Sequence, residues 1–105
     1  MDEPAGRTPS ISSIESLIIY LLREEERYGL QLVEASSRQL KRGTIYVTLS
    51  RMEAKGFIAS RQEEPIAGAI GLPRRMYRVT PYGLKVHKAY KLLREALALK
   101  PAEAR

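Results

Sequence analysis

The side chains able to bind a ligand or react are mainly cationic, and they fall in two blocks. Residues 38–61 hold six Lys and Arg against one acid, Glu53, and residues 74–91 hold six more with no acid. Residues 1–37, by contrast, hold three Arg against seven Asp and Glu. Cations that the fold places side by side would neutralise phosphates and form a nucleic-acid surface. A solvated surface that keeps the protein soluble is the alternative, and charge alone does not separate the two.

Other chemistries lack the residues that they need. The chain has no cysteine, which excludes disulfides, thiolate zinc sites and cysteine nucleophiles. His87, the single histidine, has no Asp or Glu around it at metal-ligand spacing. No serine stands in a Gly-x-Ser-x-Gly elbow, and Gly68-x-x-Gly71 lacks the lysine and helix start of a phosphate loop. We therefore expect no catalytic residues, no metal site and no cofactor.

Length and composition point to one domain. The 105 residues, 44% hydrophobic and 29% charged, support one modest core that a partner subunit could stabilise further. The net charge of +6 and the sequence pI near 9.8 favour an anionic partner. The longest strongly apolar run, residues 17–22, is too short for a membrane span or an export signal. We expect a cytoplasmic protein without a membrane partner.

The first helix should follow a mobile N-terminus at residues 1–10. Ser12 and Glu15 have the spacing of a capping box, in which each side chain accepts a hydrogen bond from the other residue's amide. An apolar stripe then predicts the face that packs in the core: Ile14, Leu17, Ile18, Leu21 and Leu22. Three more apolar residues widen this surface and indicate a contact with another subunit: Ile11, Ile19 and Tyr20.

Two further helices and a β-hairpin are predicted next. A short helix covers about residues 30–37, and a third helix begins at its cap Thr44 and ends at Gly56. The buried seam of the third helix is Ile45, Leu49 and Met52. Its opposite face is short, polar and basic: Val47, Ser50, Arg51 and Ala54. Residues 57–62 and 75–79 have the pattern of two strands joined by a long tip.

The last helix should begin at Pro81, with Thr80 as its cap, and run to about residue 99. Its apolar positions nearly form a heptad seam for another long helix: Tyr82, Val86, Ala89, Tyr90, Leu93, Ala96 and Leu97. This order predicts a mostly α protein with a small β-hairpin. A winged helix-turn-helix would occupy residues 11–80, with its wing at about 57–79, followed by a C-terminal dimerisation helix at 81–99 and a tail at 100–105. In this fold the third helix enters the major groove of double-stranded DNA, and wing arginines reach the adjacent backbone or minor groove.

Three sets of residues resemble the PadR family of bacterial transcriptional regulators: Tyr28-Gly29, the run from Gly43-Thr44-Ile45-Tyr46 to Phe57-Ile58, and Pro73-Arg74-Arg75-Met76-Tyr77-Arg78-Val79-Thr80 with Gly83. The resemblance covers about residues 14–98. It implies a homodimer of winged helices that represses promoters at palindromic sites, and a short subgroup that dimerises through one C-terminal helix. It also implies that Thr44 and Tyr46 stand at the DNA-facing start of the recognition helix and that Arg75 and Tyr77 belong to the wing strand. Val47 departs from the family, which usually has proline there.

Individual residues are expected to contact bases, phosphates or the partner subunit. Arg51 is the favoured base reader, because an arginine on this face can donate twice to guanine, and a phosphate or helix-surface contact is its alternative. Val47 and Ser50 share that face. Tyr77 either contacts DNA or packs beneath the wing. Phosphate contacts are expected from Lys41, Arg42, Arg61, Arg74 and Arg75. The dimer interface is expected at Ile11, Ile14, Ile18, Tyr20, Val86, Tyr90, Leu93 and Leu97.

The resemblance also implies a candidate ligand. Some short members of the family bind flat drugs in a dimer pore between aromatic residues, notably tryptophans, and this chain has no tryptophan. Tyr20 and Tyr90 could line such a pore for a small aromatic effector. A plain dimer core at these residues is the favoured alternative.

A second class of function stays open, namely a winged-helix module for protein contact. Its working surfaces would be the apolar wing tip at residues 65–72 and the acidic first helix. Charge favours the DNA-binding regulator, since a protein-binding module has no need of eleven Lys and Arg against one acid in residues 38–61 and 74–88.

Overall fold

The computed structural model describes residues 9–64, 68, 71 and 73–98, and within them it has four helices and three short strands. In chain order these are α1 (Ser13–Leu22), β1 (Arg27–Tyr28), α2 (Gly29–Ala35), α3 (Ile45–Ala54), β2 (Ile58–Gln62), β3 (Arg75–Val79) and α4 (Pro81–Leu97). The strands form one antiparallel sheet in the order β1-β3-β2. The predicted class, a mostly helical winged helix-turn-helix with a small sheet and a final helix, is confirmed.

The predicted capping box opens α1. The Ser12 side chain accepts from the Glu15 amide at 3.1 Å, and the Glu15 carboxylate accepts from the Ser12 amide at 2.9 Å. Two of the orphan amides at the helix start are therefore paired. The helix begins where the sequence predicts.

The core face of α1 differs from the predicted stripe. Ile14 is 40% exposed, whereas Ile19 is fully buried. The buried set Glu15, Ile18, Ile19 and Leu22 also has helical spacing, but its first member is charged, so an apolar pattern misses it. Glu15 can be buried because Lys55 Nζ donates to both of its carboxylate oxygens, at 3.0 and 2.9 Å.

The predicted seam of α3 is confirmed. Ile45, Leu49 and Met52 are at most 1% exposed and belong to the core, together with Leu32 of α2 and residues of α1. Gly56 follows the helix with φ of +84°, a left-handed conformation that glycine adopts without steric cost. One face of α3 is thus fixed to the core, and the other remains exposed.

The predicted hairpin is also confirmed, with Ser60 of β2 opposite Tyr77 of β3. The third strand, β1, is absent from the sequence prediction because two residues are too few to show a period of two. It pairs with the free edge of β3, where Arg27 lies opposite Tyr77. The predicted mobile N-terminus up to residue 8, tip residues 65–67, 69, 70 and 72, and the chain from residue 99 lie outside the described residues.

The start of α4 is the predicted one. Thr80 Oγ1 accepts from the Gly83 amide at 2.9 Å, and Pro81 is the first helical residue. The same hydroxyl donates to the Gly56 carbonyl at 2.6 Å, which ties α4 to the end of α3. In the described part of the chain, no helix combines the length and the apolar character needed to cross a membrane.

Candidate nucleic-acid interface

The exposed face of α3 carries the residues predicted to meet DNA. Val47 is 61% and Tyr46 is 51% exposed, and Ser50 and Arg51 are exposed beside them. Thr44 occupies the N-cap position, but its hydroxyl makes no capping bond. This face therefore presents hydroxyl, guanidinium and methyl groups, the types that read base edges in the major groove.

Three cations on or beside this face have no anionic partner among the described residues. The ion pairs in that part of the chain do not include Lys41, Arg42 or Arg51. Lys41 and Arg51 also line an open cleft of about 360 Å³, together with Thr44 and Thr48, between the starts of α1 and α3. Cations that no carboxylate neutralises retain their full capacity to contact phosphate.

A chain of hydrogen bonds brings the wing beside α3. Arg75 Nη1 donates to Ser60 Oγ at 3.0 Å, and Ser60 Oγ donates to Glu53 of α3 at 2.7 Å. Arg75 itself is exposed. The two basic blocks, separate in sequence, therefore meet at the C-terminal half of α3. Sequence reasoning missed the role of Ser60, because a hydroxyl that bridges two strands and a helix has no local pattern.

Two wing arginines are held by carboxylates. Arg61 donates to both oxygens of Glu26, and this pairing lowers the pKa of Glu26. Arg74 donates to both oxygens of Glu63 with its side chain and to one with its amide, which lowers the pKa of Glu63 to about 2. The Arg74 guanidinium also lies 4.2 Å from the centre of the Tyr28 ring. Each pair occupies two of the five guanidinium N–H donors and offsets the positive charge, so these arginines attract phosphate more weakly than an unpaired arginine does.

The structure corrects the prediction for Tyr77. The prediction allowed it a DNA contact, but it is 6% exposed and packs in the core under the sheet. The alternation along β3 turns its ring inward, and burial raises the pKa of its hydroxyl. It supports the wing from beneath.

The predicted dimer residues divide into three groups, which are buried, half-buried and exposed. Ile18 and Val86 are 0% and 7% exposed within the protomer core, so the structure corrects their assignment to a subunit interface. Ile11 and Tyr90 are half-buried. The remaining members are exposed: Ile14 at 40%, Tyr20 at 47%, Leu93 at 57% and Leu97 at 74%. Leu84 and Leu92, 41% and 62% exposed, were missed because they lie outside the heptad seam.

The ends of α1 and α4 enclose a second cleft, of about 620 Å³, with Tyr20, Arg23, Leu84 and His87 in its lining. Tyr90, the other tyrosine predicted for a dimer pore, is not part of the lining of this cleft. His87 Nδ1 lies 2.8 Å from Ser16 Oγ, and burial lowers the pKa of the imidazole, with Lys91 and Arg23 adding to the effect. In residues 9–64, 68, 71 and 73–98, no three potential ligand side chains gather to hold a metal ion.

The chain is similar to known proteins in sequence and in fold. The sequence model of the Transcriptional regulator PadR-like family matches residues 18–89. Transcriptional regulator Rv3488 of Mycobacterium tuberculosis is 36% identical over 69 residues, which cover 63% of this chain and 61% of that protein, less than two thirds of its length. A PadR family transcription regulator from Clostridium difficile matches with a TM-score of 0.70 and 27% identity, covering 82% of this chain and 91% of that one. Bacillus subtilis PadR, solved in complex with operator DNA, matches with a TM-score of 0.67 and 22% identity, covering 75% and 46%.

Proposed function

Because this chain belongs to the PadR-like family of transcriptional regulators, we propose that it is a homodimeric repressor that binds a palindromic operator through α3 and the wing. Residues 11–80 form the DNA-binding part in this proposal, and α4 is the dimerisation helix. The Bacillus subtilis regulator with operator DNA has the same fold, which supports duplex DNA as the partner. The family consists of regulators, which argues against an enzyme.

The observation that carries the proposal is the state of the cations at α3. Lys41, Arg42 and Arg51 have no carboxylate partner among the described residues, whereas Arg38, Lys55, Arg61 and Arg74 of the same two blocks are paired. The cations of β3 and α4 at positions 75, 78, 85, 88 and 91 are also outside those ion pairs, so the α3 cations support the proposal through their position on and beside the exposed helix face. Arg51 lies at the centre of the exposed face and is the base reader in this proposal. Lys41, Arg42 and Arg75 contact phosphates, which position the helix in the groove without reading sequence.

Exposed leucines on α4 support the homodimer. Leu92, Leu93 and Leu97 are 62%, 57% and 74% exposed on one helix of a small domain. A second copy of α4 would remove this apolar surface from water, at about 25 cal/mol per Å². The cleft beside Tyr20 and Arg23 is where a small aromatic effector would lie in this arrangement, and a plain contact between subunits there is the alternative.

Fluorescence anisotropy on the promoter duplex of the protein's own gene and on a scrambled duplex tests the DNA-binding claim. We expect the protein to prefer the promoter at least tenfold, since good bidentate contacts each contribute about 1–3 kcal/mol of discrimination. Arg51→Ala should abolish that preference and retain a steep salt dependence. Lys85→Ala, which removes one exposed charge from α4, should retain the preference. No binding to either duplex at moderate salt would refute the regulator proposal and redirect the search to protein partners.

Sedimentation equilibrium tests the dimer. Leu93→Glu should produce monomers at protein concentrations where the wild type is dimeric, because it buries an unpaired charge in the proposed contact. Lys85→Glu is the control for an added carboxylate on the same helix and should remain dimeric. A monomeric wild type, or a Leu93→Glu variant as dimeric as the control, would contradict α4 as the dimerisation helix.

A further inference from the structure

Gly29, the first residue of α2, lies directly under the ring of Tyr46. A Cβ atom at Gly29 would be 2.6 Å from Cε1 of Tyr46 and 2.7 Å from both Cζ and the hydroxyl oxygen. These separations are shorter than the van der Waals contact of two carbons, about 3.5–4.0 Å. The tyrosine ring therefore occupies the space that the Cβ atom of any other residue at position 29 would need.

Backbone conformation does not explain the glycine. Gly29 is helical, and its φ lies outside the left-handed region where glycine is favoured. Glycine also loses more backbone entropy on folding than alanine does. The missing side chain at Gly29 therefore has one visible use, which is to let Tyr46 approach.

Tyr46 is the second residue of α3 and keeps 51% of its surface exposed. The hydroxyl end of its ring, namely Cε1, Cζ and the oxygen, packs against Gly29, and the rest of the side chain belongs to the face proposed to meet DNA. A ring that is packed at one end has fewer rotamers than a free surface tyrosine, so its direction is already set before DNA arrives. Preorganised contacts bind more tightly because less ordering remains to be done on binding.

We infer that Gly29 is a positioning residue for DNA recognition, which sets the direction of Tyr46 without touching DNA itself. This inference rests on the proposed function. A methyl group at position 29 would push the Tyr46 ring off α2 and move its hydroxyl away from the operator. The loss would fall on sequence-specific binding, since the cations that contact phosphate are unaffected.

A double-mutant cycle in DNA binding tests the inference. Gly29→Ala in the full chain should weaken binding to the promoter duplex about tenfold and change binding to the scrambled duplex by less than twofold. In a Tyr46→Ala background, the same Gly29→Ala change should alter promoter binding by less than twofold. An equal loss in both backgrounds would overturn the inference. So would the absence of a loss when Tyr46 is present.

Thermal unfolding without DNA separates this inference from the proposed function. The change in Tm that Gly29→Ala causes should be less favourable when Tyr46 is present than in the Tyr46→Ala background, because only in that background does the added methyl group have no ring to displace. Gly43→Ala is the matched control, because a Cβ at Gly43 has nothing within 4 Å, and its effect should be the same in both backgrounds. If the wild type fails to prefer its promoter but this cycle shows coupling, the proposed function is refuted, whereas the packing of Tyr46 on Gly29 is supported. Absence of coupling here overturns the inference whatever the DNA result.

Discussion

Lys55 and Lys41 lie at opposite ends of α3, and the structure predicts opposite consequences of neutralising them. Lys55 Nζ donates to the Ser10 carbonyl at 2.9 Å and to the two oxygens of Glu15 at 3.0 and 2.9 Å, so its three donors are all used. The Glu15 side chain is 2% exposed and that of Lys55 30%. Lys41 is exposed and has no carboxylate partner in the described part of the chain. Lys55 should therefore act on stability and Lys41 on DNA affinity.

The size of the Lys55 effect follows from the burial of Glu15. Removing one partner of a fully buried ion pair costs about 3–5 kcal/mol, because the other charge is left uncompensated. Water can reach the Lys55 side of this pair, and Glu15 keeps its bond from the Ser12 amide. We therefore expect Lys55→Met to lower the free energy of unfolding by about 2–3 kcal/mol, which corresponds to a Tm lower by roughly 10–15 °C.

The assay combines urea unfolding at fixed protein concentration with a salt series of DNA binding. Lys55→Met should leave the slope of log affinity against log salt unchanged, whereas Lys41→Gln should make it shallower by about 0.9 for each phosphate that is no longer neutralised. The double variant Glu15→Gln with Lys55→Met should regain at least half of the stability that the single variant loses, because no buried charge remains. A destabilisation below about 1 kcal/mol in Lys55→Met, or a double variant no more stable than the single, would refute the reasoning.

Three other changes have defined outcomes. Burial lowers the pKa of His87, so the unfolded state binds this proton more readily, and the free energy of unfolding should fall as the pH drops below about 6.5. In thermal unfolding between pH 5 and 8, the stability of His87→Gln should depend on pH less than that of the wild type. A pH profile equal to that of the wild type would contradict this prediction. Glu63→Gln removes the charge that holds Arg74, so the salt slope of DNA binding should steepen by about 0.9 per protomer, and an unchanged slope would mean that Arg74 does not reach phosphate. A Cβ at Gly83 would collide with the carbonyl oxygen of Phe57, so Gly83→Ala should cost about 2–3 kcal/mol in urea unfolding, and a neutral effect would show that the two segments can separate freely.

Local spacing explains which parts of the fold could be predicted. The box at Ser12 and Glu15, the seam of α3 and the cap at Thr80 each depend on residues within one or two helical turns, so their signals stand in the sequence. The pair of Lys55 with Glu15 joins residues 40 apart, and the pair of Ser16 with His87 joins residues 71 apart. Both contacts lie on the buried face of α1. Because each places a polar residue in the interior, hydrophobic periodicity could not find them.

The cations of the candidate site could also be predicted only in part. A sequence gives the number of cations in the two basic blocks but not their partners, and the partners decide which cations can meet phosphate. Lys55, Arg61 and Arg74 belong to those blocks, yet each is held by a carboxylate, and two of these carboxylates, Glu15 and Glu26, come from the acidic first third of the chain. That acidic segment therefore fixes α3 and the wing in place with part of the positive charge. The remaining cations of the two blocks are exposed beside α3, on β3 and on α4. The net charge attracts DNA as a whole, and the proposed contact uses those cations that lie on and beside the exposed face of α3.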